Sequence, residues 1–347
     1  MRVLVTGHKG YIGTVLVPML LDAGHTVTGI DSDLFAGCSF DDDGIAAVPE
    51  RRQDVRDVTA RELRGFDAVI HLANLSNDPL GNLNPELTYA INHRASVQLA
   101  EAAKAAGVRR FLFSSSCSLY GAAADGDVLT EEAPFNPVTP YGEAKVLVER
   151  DLTTLADDRF SPVYLRNATA YGLSPRLRFD LVLNNLVAWA VTTGRIYMKS
   201  DGTPWRPLVH VEDIARAFVA ALEAPREAVH DEAFNVGRPG ENYQIRDLAE
   251  IVRDTVPGCT IEYAADGGPD SRSYRVDFGK IAEALPAFRP QWTARRGAEE
   301  LYRALHDTDL TPDAFEGPRY RRIDHIERLL RLGDLNSDLR WNVSAPA

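Results

Sequence analysis

The sequence predicts an α/β protein built on buried parallel strands, and three observations carry that prediction. Short apolar runs at residues 2–6, 26–30, 67–73 and 110–114 alternate with stretches of helical spacing, the pattern of a sheet covered on both faces. The first run passes directly into Gly7-His-Lys-Gly10-Tyr-Ile-Gly13 and then into a helical segment over residues 12–23 that ends near Gly24. The totals agree: 347 residues, 45% hydrophobic and 25% charged, make a globular chain of one or two domains with ample length for a core.

The same totals exclude several function classes. Lys and Arg number 38 against 50 Asp and Glu, a formal charge of -12, which argues against a nucleic-acid binder and leaves any anionic ligand to a few local arginines. Cys38, Cys117 and Cys259 are odd in number and far apart, so a reduced, cytoplasmic setting fits better than a disulfide framework. The chain enters its first strand at Val3 without the charged and long apolar regions of a signal peptide, and no apolar run approaches the roughly 18 residues that a membrane span needs. There is no fixed-period repeat and no low-complexity tract.

Taken in order, strand, glycine turn and helix form the context in which glycines bind phosphate. They permit a tight turn and close backbone approach, and the helix N-terminus favours a pyrophosphate. The spacing here is Gly-x-x-Gly-x-x-Gly, one residue longer in its first gap than the common dinucleotide fingerprint. The next strand ends in Asp31, whose carboxylate can accept both ribose hydroxyls of an adenosine and would repel a 2'-phosphate, so NAD is expected over NADP. Residues 35–49, with Asp41-Asp42-Asp43-Gly44, read as a surface excursion. Asp54-Val55 follows, where a side chain can bond the adenine amino group.

Residues 67–73 form a buried strand opening into a loop over 74–85, with His71 read as a packed, hydrogen-bonded residue and not as a base. A long helix is expected over residues 87–106, broken by Gly107. The strand after it runs into Ser114-Ser115-Ser116-Cys117-Ser118-Leu119-Tyr120-Gly121. Ligands sit at the strand ends of a parallel sheet, so Ser116 and Ser118, two apart, face the site while Cys117 turns into the packing. After Pro140, Tyr141 and Lys145 are four apart and share one face if the segment is helical. A phenol titrates near 10, and a neighbouring cation can bring it toward the range of proton transfer. Such a pair alone is a common solvated helix face; the preceding glycines and serines make it informative.

Gly7, Gly10 and Gly13, Asp31, Ser116, and Tyr141 with Lys145, in this order, resemble the extended short-chain dehydrogenase/reductase family, in particular its nucleotide-sugar epimerase/dehydratase branch. The resemblance implies a Rossmann-type doubly wound parallel sheet that binds NAD, with a smaller C-terminal α/β domain for the substrate. Residues 1–165 plus 208–237 would form the first, 166–207 plus 238–308 the second, and 309–347 a C-terminal helical extension. It implies a cofactor site made of Gly7, Gly10, Tyr11, Ile12, Gly13, Asp31, Asp54, Val55, Leu72, Ala73 and Asn92, together with Tyr141 and Lys145. Tyr141 is then the acid/base, Lys145 holds the nicotinamide ribose and lowers the tyrosine pKa, and Ser116 bonds the reacting hydroxyl.

The resemblance extends to about residue 300. Residues 165–172 are similar to the segment in which an Asn approaches the substrate phosphate, but Thr169 holds that position and Asn167 is no obvious replacement. Asn185 matches a diphosphate-contacting helix start, and Arg206 and Arg272 match positions that supply planar forks to phosphate oxygens. Ser118 joins Ser116 on the substrate side, while Arg176 and Arg178 are weaker candidates. A helix over 212–222 and a strand over 233–237 return the chain to the main sheet. In the tail, Ile323, Ile326, Leu329 and Leu330 have the spacing of an amphipathic helix docked on the body or on a neighbour, and Arg319, Arg321 and Arg322 read as its solvated face.

Within this branch, 4,6-dehydratases carry an Asp-Glu pair after the catalytic hydroxyl residue and sugar-acid decarboxylases place a Glu at the second of those positions; here they are Cys117 and Ser118. What is left is 4-epimerisation, or simple reduction or oxidation of a keto-sugar, on a UDP- or dTDP-linked substrate. A non-catalytic NAD sensor on the same fold is the alternative from another class, and the intact Tyr141–Lys145 pair argues against it. Helices beginning near Leu87 and Tyr141 form a dimer bundle in relatives, so a homodimer is expected.

Overall fold

The structure is a computed structural model that describes residues 1–121, 127–198, 200–264 and 273–342. Its centre is a seven-stranded sheet in the order Glu232–Val236, Ser161–Asn167, Arg110–Ser116, Ala68–His71, Arg2–Thr6, Thr26–Asp31, Glu50–Arg52. All of its pairings are parallel, with Val5 opposite Gly29 on one side and Ile70 on the other. The doubly wound parallel sheet expected from the sequence is therefore present, and residues 233–237 do rejoin it.

Alternation of side chains explains why the inner strands are apolar on both faces, while the edge strand Glu50–Arg52 is charged and exposed. Val3, Val5, Ala68, Ile70 and Leu112 face one side, against Leu16, Val17 and Leu20 of the helix Gly13–Asp22 and Ile214 and Phe218 of the helix Val211–Glu223. Leu4, Val69, Phe111 and Phe113 face the other, against Leu99 and Ala103 of the helix Ala95–Ala106 and Val148 and Leu152 of the helix Pro140–Thr153. With both faces covered, no inner strand can spare a polar stripe.

A second core lies among the helices Val182–Thr193, Ile245–Thr255 and Ala294–His306 and the parallel pair Arg195–Met198 and Thr260–Tyr263. The strand Trp205–His210 runs parallel to Thr169–Tyr171 and antiparallel to Asn242–Gln244. Phe315, from the tail, is fully buried in this core and meets Trp189 edge-on at 5.2 Å.

Three details differ from the sequence reading. The helix expected over 87–106 begins at Pro85 and contains a π-helical stretch, Tyr89–Arg94, before Ala95–Ala106 ends on Gly107 at φ +86°. Residues 35–49 carry no helix or strand, as expected, yet Cys38 and Ser39 are buried, because Arg176 donates to the Ser39 hydroxyl at 2.6 Å and Arg319 to its carbonyl at 2.8 Å. The tail helix, Arg322–Leu332, docks on the body: Ile326 and Leu329 pack with Leu75, Leu80, Leu87 and Ile91. Among the described residues no helix is long and apolar enough to cross a membrane.

Candidate active site

The strand order reverses between Arg2–Thr6 and Ala68–His71, and beyond the carboxyl ends of these strands lies a cavity of about 750 Å³. Gly7 turns the chain here at φ +72°, and a Cβ at this position would stand 2.8 Å from the Ala73 amide nitrogen. At Gly13 a Cβ would lie 2.4 Å from the Gly7 carbonyl oxygen. Only glycines let the turn fold this tightly against the first turn of the helix Gly13–Asp22, and Gly10, Tyr11, Ile12 and Gly13 at that N-terminus line the cavity. The positive end of the helix dipole and the close backbone fit a dinucleotide diphosphate.

The other residues expected to hold a cofactor can be located on or off the same cavity. Tyr11, Ile12, Asp31, Asp54, Val55, Leu72 and Ala73 all line the cavity. Asp31 accepts the amides of Lys9 at 3.1 Å and Asp33 at 2.9 Å; burial pushes its carboxyl above the usual range while those amides pull it down. Burial works on Asp54 too, but the Arg56 fork at 2.9 and 2.5 Å outweighs it and holds that carboxyl low. Asn92 is the exception: it is buried away from the cavity, and its side chain bonds the Leu75 amide at 2.8 Å and the Leu75 carbonyl at 3.0 Å. It braces the loop that forms the cavity rim and leaves no amide group over for a cofactor.

The helix Pro140–Thr153 starts on Thr139, whose hydroxyl accepts the Gly142 amide at 3.2 Å, with proline at its first position. That fixes Tyr141 and Lys145 one turn apart on the cavity side. Lys145, 2% exposed, donates to the Ser114 carbonyl at 2.6 Å and to Asn74 Oδ1 at 3.2 Å, and its Nζ sits 4.5 Å from the centre of the Phe113 ring and 5.5 Å from that of Tyr141. The Tyr141 phenol lines the same cavity as Ser116, whose Oγ is 2.9 Å from Ser118 Oγ. Cys117 is fully buried, its thiol 3.2 Å from the Arg166 carbonyl, and burial pushes its pKa up.

One expectation is corrected by these contacts. In the ligand-free protein burial raises the Tyr141 pKa to about 12, opposed by Ser116 and by Arg178, so the lowering expected beside Lys145 is outweighed. Lys145 has itself lost its water, and burial pushes it down to about 7 despite the Glu149 carboxylate nearby. Beneath the site, Glu149 accepts Ser115 Oγ at 2.5 Å and the Arg166 guanidinium at 2.7 Å, and both charged side chains are nearly sealed from solvent. His71 is packed as expected, between Thr6 Oγ1 at 2.6 Å and Ser96 Oγ at 2.8 Å, with burial pushing its pKa down to about 3 so that it stays neutral.

On the substrate side, Ser118, Thr169, Asn185 and Arg206 line the same cavity, and Arg272 lies outside the described residues. Of the weaker candidates Arg178 lines it and Arg176 does not; Arg178 is forked onto Asp180 at 2.9 and 2.8 Å, and Asn77 donates to the same carboxylate at 2.5 Å. The Asn185 amide already donates to the Phe179 carbonyl at 2.9 Å and to Glu316 at 3.1 Å.

Sequence reasoning missed Glu316, Arg321, Arg322 and Leu339, which all reach the cavity wall from the tail. Arg322 corrects the solvated-face reading: it is 2% exposed, donates to the Arg176 carbonyl at 3.1 Å and lies over the Phe35 ring at 4.8 Å, and burial brings its pKa down to about 10. Only its apolar neighbours Ile323 and Ile326 gave a signal, and that signal located the helix without its partner.

Known proteins share this arrangement. The family model described as the NAD dependent epimerase/dehydratase family matches residues 3–237. The chain is similar to UDP-glucose 4-epimerase of Bacillus subtilis (strain 168), 28% identical over 87% of this chain and 94% of that protein, and to UDP-glucose 4-epimerase of Corynebacterium glutamicum, 32% identical over 73% and 80%. Among solved structures it resembles MoeE5 in complex with UDP-glucuronic acid and NAD, with a TM-score of 0.74 and 27% identity over 88% of this chain and 98% of that one. With a matched region covering well over half of its length, the chain belongs to the NAD dependent epimerase/dehydratase family, an enzyme family acting on nucleotide sugars.

Proposed function

We propose that the protein is an NAD-dependent nucleotide-sugar epimerase acting at carbon 4 of a UDP- or dTDP-linked hexose through a transient keto-sugar. The observation that carries this reading is the convergence of Ser116, Tyr141 and Lys145 on the glycine-lined cleft, with no carboxylate at either position that follows Ser116. Cys117 is a buried thiol and Ser118 a neutral hydroxyl, so neither offers the second acid or base that loss of water from a neighbouring carbon requires. Asp180, on the same cavity, is committed to Arg178 and Asn77. The naming of several relatives as 4-epimerases supports the same choice.

NAD, when bound, accepts a hydride from the sugar carbon and returns it. Ser116 would orient the hydroxyl on that carbon, and Tyr141, as the phenolate that the positive charge of a bound oxidised nicotinamide would favour over the neutral phenol of the ligand-free protein, would take its proton as the carbon–oxygen bond becomes a carbonyl, then give it back. Lys145 holds the nicotinamide ribose and, through its bond to the Ser114 carbonyl, ties the helix of Tyr141 to the strand of Ser116. Thr169 and Arg206, with Arg272 and with Asn185 once its amide leaves Glu316, hold the diphosphate while the keto-sugar turns over in the site. Residues 1–165 with 208–237 carry the cofactor in this reading and 166–207 with 238–308 the nucleotide sugar, and the helical faces near residues 87–106 and 140–153 form a homodimer.

The test is to incubate the purified protein with UDP-glucose, UDP-galactose and dTDP-glucose and to separate the products. Interconversion of 4-epimers without net formation or use of NADH is expected. Accumulation of a 4-keto-6-deoxy sugar, or consumption of NADH in step with keto-sugar loss, would overturn the epimerase reading in favour of a dehydratase or a reductase.

A further inference from the structure

The tail ends in a compact turn that no catalytic argument uses. Leu335 and Trp341 face each other as an antiparallel bridge, the Asn336 amide donates to the Arg340 carbonyl at 2.9 Å, and Asn336 Oδ1 accepts the amides of Asp338 at 2.9 Å and Arg340 at 3.0 Å. At its apex Leu339 stands at φ +55°, a left-handed conformation that a bulky side chain adopts only when its surroundings dictate it. The strain is not spent at the surface: Leu339 is 2% exposed and lines the cavity.

The anchors of this turn all lie on the stretch after Asp31. Trp341 Nε1 donates to the Ser32 carbonyl at 2.7 Å, and its ring lies under the Arg52 guanidinium at 4.9 Å. Arg340 forks onto Asp57 at 2.5 and 3.0 Å, one helical turn beyond Asp54 and Val55. From the inner side, Leu335 and Leu339 continue the apolar cluster of Leu75 and Ile91. The turn therefore closes the cavity from outside near Ser32 and Asp57, and its Leu339, like Val55, is among the residues that line it.

We infer that the turn of residues 335–341 is the outer wall of the adenosine subsite, with Leu339 packed on the adenine of the cofactor and the Arg340 and Trp341 anchors holding the wall shut. The inference rests on the NAD-binding reading and adds to it a part of the chain outside the family-model match. A flat, apolar, uncharged ring is the part of a dinucleotide that a leucine and a valine can take between them, while Asp31 keeps the ribose hydroxyls. A cofactor that is regenerated in every cycle has no need to leave, and a wall tied down by an ion pair and an indole hydrogen bond makes it slow to do so.

The test uses full-length protein in two variants. Leu339→Gly removes the side chain and suits the left-handed backbone; Arg340→Ala loosens the anchor on Asp57, and with it the 3.9 Å contact to Asp54 on the cavity wall. Protein loaded with NADH is mixed with excess NAD and the loss of bound-nicotinamide fluorescence is timed, and affinity for ADP-ribose is measured by calorimetry on emptied protein. Leu339→Gly is expected to weaken ADP-ribose and speed NADH release by about tenfold, the worth of part of a buried leucine surface. Arg340→Ala is expected to speed release by a smaller factor. Affinity for UDP or dTDP, whichever the parent protein binds, stays unchanged. Unaltered NADH release and ADP-ribose affinity in both variants would overturn the inference, as would an equal loss of the nucleoside diphosphate. Absence of ADP-ribose binding in the parent protein would instead overturn the cofactor reading beneath it.

Discussion

Lys145 donates its ammonium to the carbonyl of Ser114 at 2.6 Å, so the helix that carries Tyr141 is tied to the strand that ends in Ser116. The two hydroxyls meet because this bond and the Thr139 cap fix both elements before any ligand arrives. Removing the phenolic oxygen alone should leave that frame intact. Tyr141→Phe is expected to cut turnover by roughly 10²–10⁴-fold, the usual worth of a positioned proton-transfer group, with NAD content after denaturation unchanged. Near-normal turnover in this variant would remove Tyr141 from the mechanism.

Lys145 also predicts a pH dependence of stability in the ligand-free protein. Its folded pKa is about 7 against an unfolded value of about 10.4, so between those limits the unfolded chain binds more protons and stability rises with pH. Tyr141, raised to about 12, acts in the opposite direction only above about pH 10. Lys145→Met is expected to flatten the rise between about pH 7 and 10 in thermal melts. A parent protein whose melting temperature already falls steadily across that window, with no change of slope in the variant, would contradict the assignment.

Asp31 sits among two backbone amides at the end of its strand, where a 2'-phosphate would bring negative charge against a desolvated carboxylate. NADP is expected to bind far more weakly than NAD, and Asp31→Asn to narrow the gap chiefly by improving NADP. Titration of nucleotide-free protein with both cofactors checks this; equal affinities in the parent protein would refute it.

The pair Glu149–Arg166 lies in the dry layer beneath the site, where Ser115 also bonds the carboxylate. Glu149→Ala leaves a guanidinium without its counter-charge and is expected to cost about 3–5 kcal/mol in denaturant unfolding. A loss below about 1 kcal/mol, the range of an exposed pair, would mean that the site reaches water from below.

Asn92 serves a loop and not a ligand. Asn92→Leu removes both partners of Leu75 and is expected to cost about 1–3 kcal/mol for each buried group left unpaired, while affinity for NAD falls only as far as the loop loosens. Loss of NAD binding with unchanged unfolding would restore it to the cofactor site.

The parts of this molecule that were legible in its sequence are those where spacing and local geometry coincide. Gly7 is required by its left-handed backbone at φ +72° and Gly13 by the Gly7 carbonyl 2.4 Å from where a Cβ would stand in the same turn, and Tyr141 and Lys145 share a face because both lie on one helix. The side chains that were not legible depend on partners far along the chain. Arg322 has the spacing of an exposed helix face and is buried because the loops at Phe35 and Arg176 close over it. Leu339 follows no periodicity and reaches the cavity only through a turn anchored on Ser32 and Asp57, some 300 residues upstream. The Tyr141 pKa was misread for a similar reason: the lysine on the same helix face was plain in the sequence, but the burial that outweighs it belongs to the whole fold.

An epimerase of this kind oxidises one sugar carbon and reduces it again within a single residence of the substrate in the site. The most direct measurement is the fate of deuterium placed on carbon 4 of UDP-glucose, or of the dTDP sugar if that is the one turned over, in ordinary water. Retention of the label on carbon 4 of the epimerised product, with no solvent hydrogen entering carbons 5 or 6, is the predicted result. Loss of the label to water or to the free NADH pool, or solvent hydrogen at carbon 5 or 6, would contradict it.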